Sequence, residues 1–203
     1  MTEWKLFDGD VPYVSTAEFH ADRERAPHLE QEWHQPRLYR AVNLVRDSIT
    51  SMQAEDPLHP ITVSDLGCGD GGLLQALAYP LSWGYDFAPA NAAGWTERRV
   101  TAVSADVFGA DQDRIRLGDI VVMTEVLEHV ADPHGVLRWL KGSGVPVIVC
   151  SSPLNENQHN HSPEHAWAWD TQGYAEMLAA AGWVIANHEQ AGLFQVVRAV
   201  NIT

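Results

Sequence analysis

From residue 61 onward, short apolar runs rich in β-branched residues alternate with stretches of helical periodicity. Five runs have the length and composition of buried strands, and they cover Ile61–Leu66, Leu81–Phe87, Val100–Ala105, Ile120–Thr124 and Val145–Cys150. Helical stretches fit between and after these runs, at Gly72–Tyr79, Pro89–Arg98, Pro133–Lys141 and Thr171–Ala181. Because strands joined by helical crossovers pair in parallel, the alternation predicts a doubly wound α/β sheet covered on both faces.

Two more apolar runs follow Gly182, at Trp183–His188 and Phe194–Val200. The segment between them is too short for a helical crossover, so the two runs are predicted to pair as antiparallel strands. The complete pattern therefore predicts a seven-stranded mixed sheet whose last strand is antiparallel.

The first 60 residues have helical patterns instead. The sequence Ser15-Thr-Ala-Glu18 has the form of a capping box and predicts a short helix that ends before Pro27. A longer helix with one buried face is predicted from apolar positions spaced three or four residues apart, at Leu38, Ala41, Val42, Val45, Ile49 and Met52. Two prolines in residues 54–60 end it. We expect residues 1–60 to form a helical lid and residues 61–203 to form the core domain.

Composition narrows the class of protein. A formal net charge of −14 disfavours tight binding to a long phosphate backbone, which depends on lysine and arginine. No apolar run approaches the roughly 20 residues of a membrane span, and the N-terminus lacks the pattern of a secretory signal. Cys68 and Cys150 have neither disulfide nor metal-site spacing. We expect a soluble, cytoplasmic protein with reduced thiols.

The first strand runs directly into a glycine-rich turn, Gly67-Cys-Gly-Asp-Gly-Gly72, which opens a helix. Glycines at such a corner allow a ligand to approach the backbone at the carboxyl edge of the sheet. An acid, Asp65, precedes the glycines, and a second acid, Asp86, follows about 20 residues later. An NAD-dependent dehydrogenase also has an acid at this second position, but its Gly-x-Gly-x-x-Gly spacing fits this turn less well.

These motifs, in this order, resemble the class I S-adenosylmethionine (SAM)-dependent methyltransferases over about residues 60 to 200. The segment from Asp119 to Pro133 resembles the fourth strand of that family and the loop after it. The resemblance implies a Rossmann-like fold, SAM as cofactor and S-adenosylhomocysteine as product. It also implies that Asp86 binds the ribose hydroxyls and Asp106 the adenine amino group. The cofactor-binding residues that it implies are Asp65, Gly67, Cys68, Gly69, Asp86, Phe87, Asp106, Val107 and Thr124.

Glu125, Glu128 and His129 follow the fourth strand. On a helical turn their spacing would gather both carboxylates and the imidazole on one side. Such a group can hold a divalent cation such as magnesium or manganese. Of three histidines after the fifth strand, His165 is the best candidate for a fourth ligand, since strand ends converge at one edge of the sheet.

Alternative functions remain open for this group. In the first, Glu125, Glu128 and His129 are catalytic residues of a methyltransferase acting on an oxygen or nitrogen of a small molecule, with His129 as general base. In the second, the motif resembles small-RNA 3′-terminal 2′-O-methyltransferases, in which the two glutamates, His129 and His165 would bind a metal that polarises the ribose hydroxyls. A non-catalytic SAM-binding module is a third, which the intact group disfavours. Five aromatic residues could line an acceptor pocket or simply pack: Tyr13, Trp33, Tyr39, Trp167 and Trp169.

Overall fold

The computed structural model describes residues 2–7, 13–25 and 30–202. The strands are β1 (Glu3–Lys5), β2 (Val63–Leu66), β3 (Ser82–Asp86), β4 (Ala102–Ser104), β5 (Ile120–Thr124), β6 (Val147–Pro153), β7 (Trp167–Trp169), β8 (Val184–Ala191) and β9 (Phe194–Val200). The helices are α1 (Ala17–Ala21), α2 (Gln35–Glu55), α3 (Gly72–Leu77), α4 (Ala92–Arg98), α5 (Pro133–Gly142) and α6 (Thr171–Ala180).

The main sheet has seven strands in the order β4-β3-β2-β5-β6-β9-β8. Strand β9 pairs antiparallel with both of its neighbours, whereas the other pairings are parallel. The predicted fold class, a Rossmann-like doubly wound mixed sheet with its last strand antiparallel, is therefore confirmed. The strand order reverses beside β2, and a ligand site is expected where the carboxyl ends of β2 and β5 diverge.

Two apolar cores lie on opposite faces of the sheet. One contains the buried face of α5 and α6, including Leu137, Leu140 and Leu178. The other contains the apolar stripe of α2 and part of α3, packed on β5, β6 and β9. Helix α2 thus belongs to the layer that covers one face of the sheet, and Ala41 and Val45 are wholly buried there. Within the described ranges, no helix has the length and apolar content needed to cross a membrane.

Short elements of the N-terminal region depart from the predicted pattern. Thr16 caps α1, since its hydroxyl accepts a 3.2 Å hydrogen bond from the N–H of Phe19, so the prediction of Ser15 as the cap was wrong. Strands β1 and β7, which the sequence pattern did not predict, form a separate antiparallel pair. The indole of Trp169 donates to the Glu3 carboxylate at 2.7 Å and fixes β1 against the core.

Candidate functional site

The turn between β2 and α3 is a glycine loop whose backbone requires glycine. Gly67, Gly69 and Gly71 have φ angles of 78°, 52° and 83°, in the left-handed region that other residues rarely adopt. A Cβ at Gly67 would lie only 2.7 Å from the side chain of Val126. The N–H of Gly67 donates to the carbonyl of Tyr85 on β3 at 2.8 Å. The loop is therefore held close to the carboxyl edge of the sheet.

Asp86 ends β3 and is fixed by the backbone around it. One carboxylate oxygen accepts a hydrogen bond from the N–H of Gly69 at 2.9 Å. The other accepts from the N–H of Ala88 at 2.9 Å and from the side-chain amide of Asn91 at 3.0 Å. Because an ionised carboxylate has about four acceptor positions, Asp86 retains capacity for a further donor. Asp86 and Phe87 both line the cavity described below.

Asp65 is the second-last residue of β2 and is a buried carboxyl group with incomplete hydrogen bonding. The residue is 1% exposed, and its Oδ1 has no hydrogen-bond partner among the described residues. Burial, followed by the negative charge of Asp86, raises the pKa of Asp65 to about 7, and the charge of Arg37 acts in the opposite direction. A donor from a ligand in the cavity would satisfy this oxygen.

Asp106 and Val107 lie after β4 in the wall of the same cavity. The Asp106 carboxylate accepts a hydrogen bond from the N–H of Ala110 at 3.1 Å, and the Asp106 N–H donates to Asp111 at 3.0 Å. The two acids therefore stabilise the turn in which they lie, while Asp106 still faces the cavity.

The loop after β5 differs from the predicted helical turn. Residues Leu127–His129 form one turn of 3₁₀ helix, but Glu125 precedes that turn and has a φ of 58°. The Glu125 carboxylate accepts a 2.7 Å hydrogen bond from the hydroxyl of Ser151 on β6. The prediction that Glu125 shares one helical face with Glu128 and His129 was therefore wrong, because the chain changes direction in the left-handed conformation at residue 125.

Three potential metal ligands nevertheless converge. Ligand atoms of Glu128, His129 and His165 all lie within 4.8 Å of one another, and Glu125 is outside this group. Both oxygens of the buried Glu128 carboxylate lack a partner in the described part of the chain. Burial, followed by the charge of Glu125, raises the pKa of Glu128 well above its usual value. The Nδ1 of His165 lies 2.5 Å from the carboxylate of Glu156, an arrangement that orients many metal-binding histidines.

The N-terminal segment around α1 contributes polar side chains to this region. The Tyr13 hydroxyl donates to the backbone carbonyl of His129 at 2.6 Å. The hydroxyl of Ser15 lies 2.5 Å from Nε2 of His20 and 3.3 Å from Nδ1 of His129. Burial lowers the pKa of His20 to about 4, so this imidazole is neutral near pH 7.

These elements enclose one cavity of about 1160 Å³. Its wall includes every residue that the sequence implied for the cofactor, together with Glu125, His129 and His165; Glu128 lies behind the wall. Of the five aromatic candidates, Tyr13 and Trp33 reach it, whereas Tyr39 and the two tryptophans of β7 do not line it.

Two ion pairs connect the N-terminal segment to opposite sides of the cavity. Arg23 pairs with Glu164 at 3.2 Å, and Arg25 pairs with Asp70 of the glycine loop at 3.2 Å. The segment is therefore bonded both to the glycine loop and to the loop after β6.

Sequence reasoning missed Ser15, His20 and Arg37 as residues of this site. The first two reach the cavity only through tertiary packing. For Arg37 a local signal exists, since it precedes Ala41 by four residues and so places a charge on the apolar stripe of α2.

The sheet order, the glycine loop and the acid at the end of β3 define a Rossmann-like methyltransferase that uses SAM. Residues 34–188 match the methyltransferase-domain family Methyltransf_23, and the chain belongs to this family. No curated protein matches the sequence significantly.

Solved structures share the fold at low sequence identity. Magnesium protoporphyrin IX methyltransferase of Synechocystis PCC 6803 with bound SAM is 16% identical, with a TM-score of 0.61 over 90% of this chain and 88% of that one. A SAM-dependent methyltransferase of Aquifex aeolicus is 16% identical, with a TM-score of 0.54 over 70% and 82%. A Haloferax volcanii methyltransferase in complex with its Trm112 activator is 19% identical, with a TM-score of 0.58 over 70% and 82%.

Proposed function

We propose that this enzyme transfers a methyl group from SAM to an oxygen or nitrogen atom of a small-molecule acceptor. The observation that carries the proposal is the single cavity of about 1160 Å³ extending from the glycine loop to His129 and His165. Its volume exceeds the roughly 300–1,000 Å³ typical of a site for one small ligand. A cofactor and an acceptor therefore fit side by side, as methyl transfer requires.

The cofactor end of the cavity suits SAM because it holds unused acceptor positions for hydroxyl and ammonium groups. Asp86 has lone pairs for the ribose, and Asp65 has an unpaired oxygen. We assign contact with the cofactor to the residues that share this wall, Asp65, Gly67, Cys68, Gly69, Asp86, Phe87, Asp106, Val107 and Thr124. SAM, when bound, supplies a methyl group activated by a sulfonium. The chain itself then has to align the acceptor and exclude water.

His129 is the best-placed group to remove a proton from the acceptor. Burial, followed by the neighbouring His165 and His20, lowers the pKa of His129 well below its usual value, so the ring is neutral near pH 7. Its Nδ1 lies 3.3 Å from the carbonyl oxygen of Glu164. Because a carbonyl only accepts, we assign the ring hydrogen to Nδ1 and the lone pair to Nε2. A base of low pKa suits an acceptor whose proton becomes acidic as the new bond forms.

Metal-assisted transfer to the 3′-terminal 2′-hydroxyl of RNA is a second candidate. The convergence of Glu128, His129 and His165 favours it, because a magnesium or manganese ion would satisfy the unpaired Glu128 oxygens and polarise a hydroxyl group. Charge favours the small-molecule acceptor instead. Arg23 in the cavity wall and Arg25, which bonds to Asp70 of that wall, are already paired with carboxylates, and the net charge is −14.

Calorimetric titration with S-adenosylhomocysteine tests the cofactor assignment. We expect micromolar binding that Asp86→Ala weakens at least about tenfold, since a charge-assisted hydrogen bond contributes about 1.5–3 kcal/mol. Asp113→Ala, which removes an exposed carboxylate outside the cavity, is the matched control and leaves the affinity unchanged. Binding of NAD in place of S-adenosylhomocysteine would contradict the proposal.

Two further measurements separate the candidate functions. Methyl-labelled SAM is incubated with a panel of small hydroxyl and amine compounds and, in parallel, with short RNA oligonucleotides. Label in the small molecules supports the first function, and label at an RNA 3′ end supports the second. If manganese binds to the wild type and not to Glu128→Gln, the metal-binding group is established. If manganese does not bind to the wild type, His129 is left as a base that acts without a metal.

A further inference from the structure

The hydroxyl of Ser15 lies between two imidazole rings. Its Oγ is 2.5 Å from Nε2 of His20 and 3.3 Å from Nδ1 of His129. Ser15 is only 6% exposed, so solvent competes little for these bonds. The three side chains form a chain of polar groups that leads from the N-terminal segment to the proposed base.

One turn of helix brings His20 back over Ser15. Thr16 caps α1 through the N–H of Phe19, and the N–H of His20 donates to the Thr16 carbonyl at 3.1 Å. Since Thr16 makes the capping bond, the hydroxyl of Ser15 is available to the rings. The ring of His20 also packs edge-on against Phe87 at the cofactor end of the cavity, with 5.2 Å between ring centres. His20 therefore lies between the cofactor end and the proposed base.

The direction of the hydrogen bonds follows from a backbone carbonyl. The carbonyl of Glu164 can only accept, so Nδ1 of His129 carries the ring hydrogen. The Ser15 oxygen accepts from the same N–H, which leaves the one hydroxyl hydrogen of Ser15 for the ring of His20. Because His20 is neutral near pH 7, its Nε2 accepts that hydrogen and its own ring hydrogen is on Nδ1. Bonds that point the same way along a chain strengthen one another.

We propose that Ser15 and His20 are positioning residues that orient the ring of His129, with its Nε2 lone pair toward the acceptor. The N–H of this ring is shared between the Glu164 carbonyl of the core and the Ser15 hydroxyl of the N-terminal segment, which disfavours rotation of the ring. The Tyr13 hydroxyl holds the backbone at the same point, since it donates to the carbonyl of His129 at 2.6 Å. The inference rests on the proposed methyl transfer with His129 as base. It follows that this base is fully oriented only while the N-terminal segment is docked on the core.

Nitrogen-15 NMR of the histidine rings in the full-length protein tests the direction of the bonds without an acceptor. The signals of the two rings are assigned with His20→Phe and His129→Gln. We expect both rings to carry their hydrogen on Nδ1, whereas the neutral imidazole of free histidine carries it mainly on Nε2. In Ser15→Ala the ring of His20 loses the donor at its Nε2 and should change to the Nε2–H form. Glu18→Gln, which alters an exposed residue of the same helix outside the cavity, should leave both rings unchanged.

Steady-state kinetics with an acceptor found by the label screen test the consequence for transfer. We expect Ser15→Ala and His20→Phe each to lower kcat about 2- to 10-fold, the range for loss of one neutral hydrogen bond, with KM for SAM unchanged. His20→Phe keeps an aromatic ring in place and removes only its nitrogens. The double variant should be no slower than the slower single variant, because both substitutions break the same chain. Ser15→Thr keeps the hydroxyl and should keep the wild-type kcat.

The outcomes separate the positioning role from the proposed function. A wild-type His20 with its hydrogen on Nε2, or a His20 tautomer that Ser15→Ala leaves unchanged, would overturn the proposal. Two single effects that multiply in the double variant would assign Ser15 and His20 to independent contacts and also overturn it. The wild-type spectrum tests the bond direction even if a variant fails to fold. A wild type that binds no S-adenosylhomocysteine would overturn the proposed function, while the NMR result would still decide the chain of hydrogen bonds.

Discussion

Replacing Asp65 by asparagine removes a buried carboxyl group whose ionisation opposes folding. Burial, followed by the charge of Asp86, raises its pKa to about 7, against about 3.9 in an unfolded chain. Between these values the unfolded chain has released the proton while the folded protein retains it, so the free energy of unfolding falls as pH rises. About 3 pH units at about 1.36 kcal/mol each give a loss of about 4 kcal/mol between about pH 4 and pH 7.

Urea unfolding of the cofactor-free protein at pH 5, 6, 7 and 8 measures this loss. Relative to Asp65→Asn, the free energy of unfolding of the wild type should fall by about 1.4 kcal/mol per pH unit up to about pH 7, and by little above that pH. Asp119 provides a control of opposite sign. Burial alone would raise its pKa, but hydrogen bonds from Thr62 and His59 hold the pKa of Asp119 below its usual value. Its own titration affects stability only as pH falls through that low pKa. Because Asp119 also raises the pKa of His59, the control is measured in a His59→Gln background, where the effect of Asp119→Asn should stay constant above pH 5. A constant difference between wild type and Asp65→Asn would refute the reasoning.

Two other substitutions test the packing of the glycine loop and the orientation of a histidine. Gly84→Ala would place a methyl group 2.6 Å from the thiol of Cys68 in the loop. We expect thermal unfolding to show a destabilisation of about 1–3 kcal/mol, and calorimetry to show weaker binding of S-adenosylhomocysteine. Glu156→Gln would remove the carboxylate that orients His165; manganese affinity should fall about 10- to 100-fold, and an unchanged affinity would exclude this role.

The order of the core elements could be read from the sequence because each signal is local. A buried parallel strand such as Ile120–Thr124 is a continuous apolar run, and its bounds match the structure. Strands β1 and β7 have only three residues each, and their pairing is fixed by contacts between distant parts of the chain, including the bond between Glu3 and Trp169. No local pattern distinguishes such segments from loops.

Within the candidate site, too, the features with a local sequence signal could be predicted, and those that depend on distant contacts could not. The glycine loop directly follows β2 and Asp86 is the last residue of β3, so the sequence indicated both. The left-handed conformation at Glu125 depends on its bonds with Ser151 on the neighbouring strand, and helical spacing alone gave the wrong geometry. His20 reaches His129, 5.5 Å between ring centres, although 109 residues separate them in the sequence.

The N-terminal extension combines two parts with different strengths of attachment. Helix α2 buries eight residues, among them Leu38, Leu44 and Ile49, so moving it would expose a large apolar face of the core. The segment around α1 is held by hydrogen bonds and by ion pairs with partly exposed arginines, which are weak and screened by salt. We therefore expect the α1 segment, rather than α2, to open for exchange of ligands. On this expectation, α2 keeps its position on the sheet while the α1 segment, which carries His20, moves.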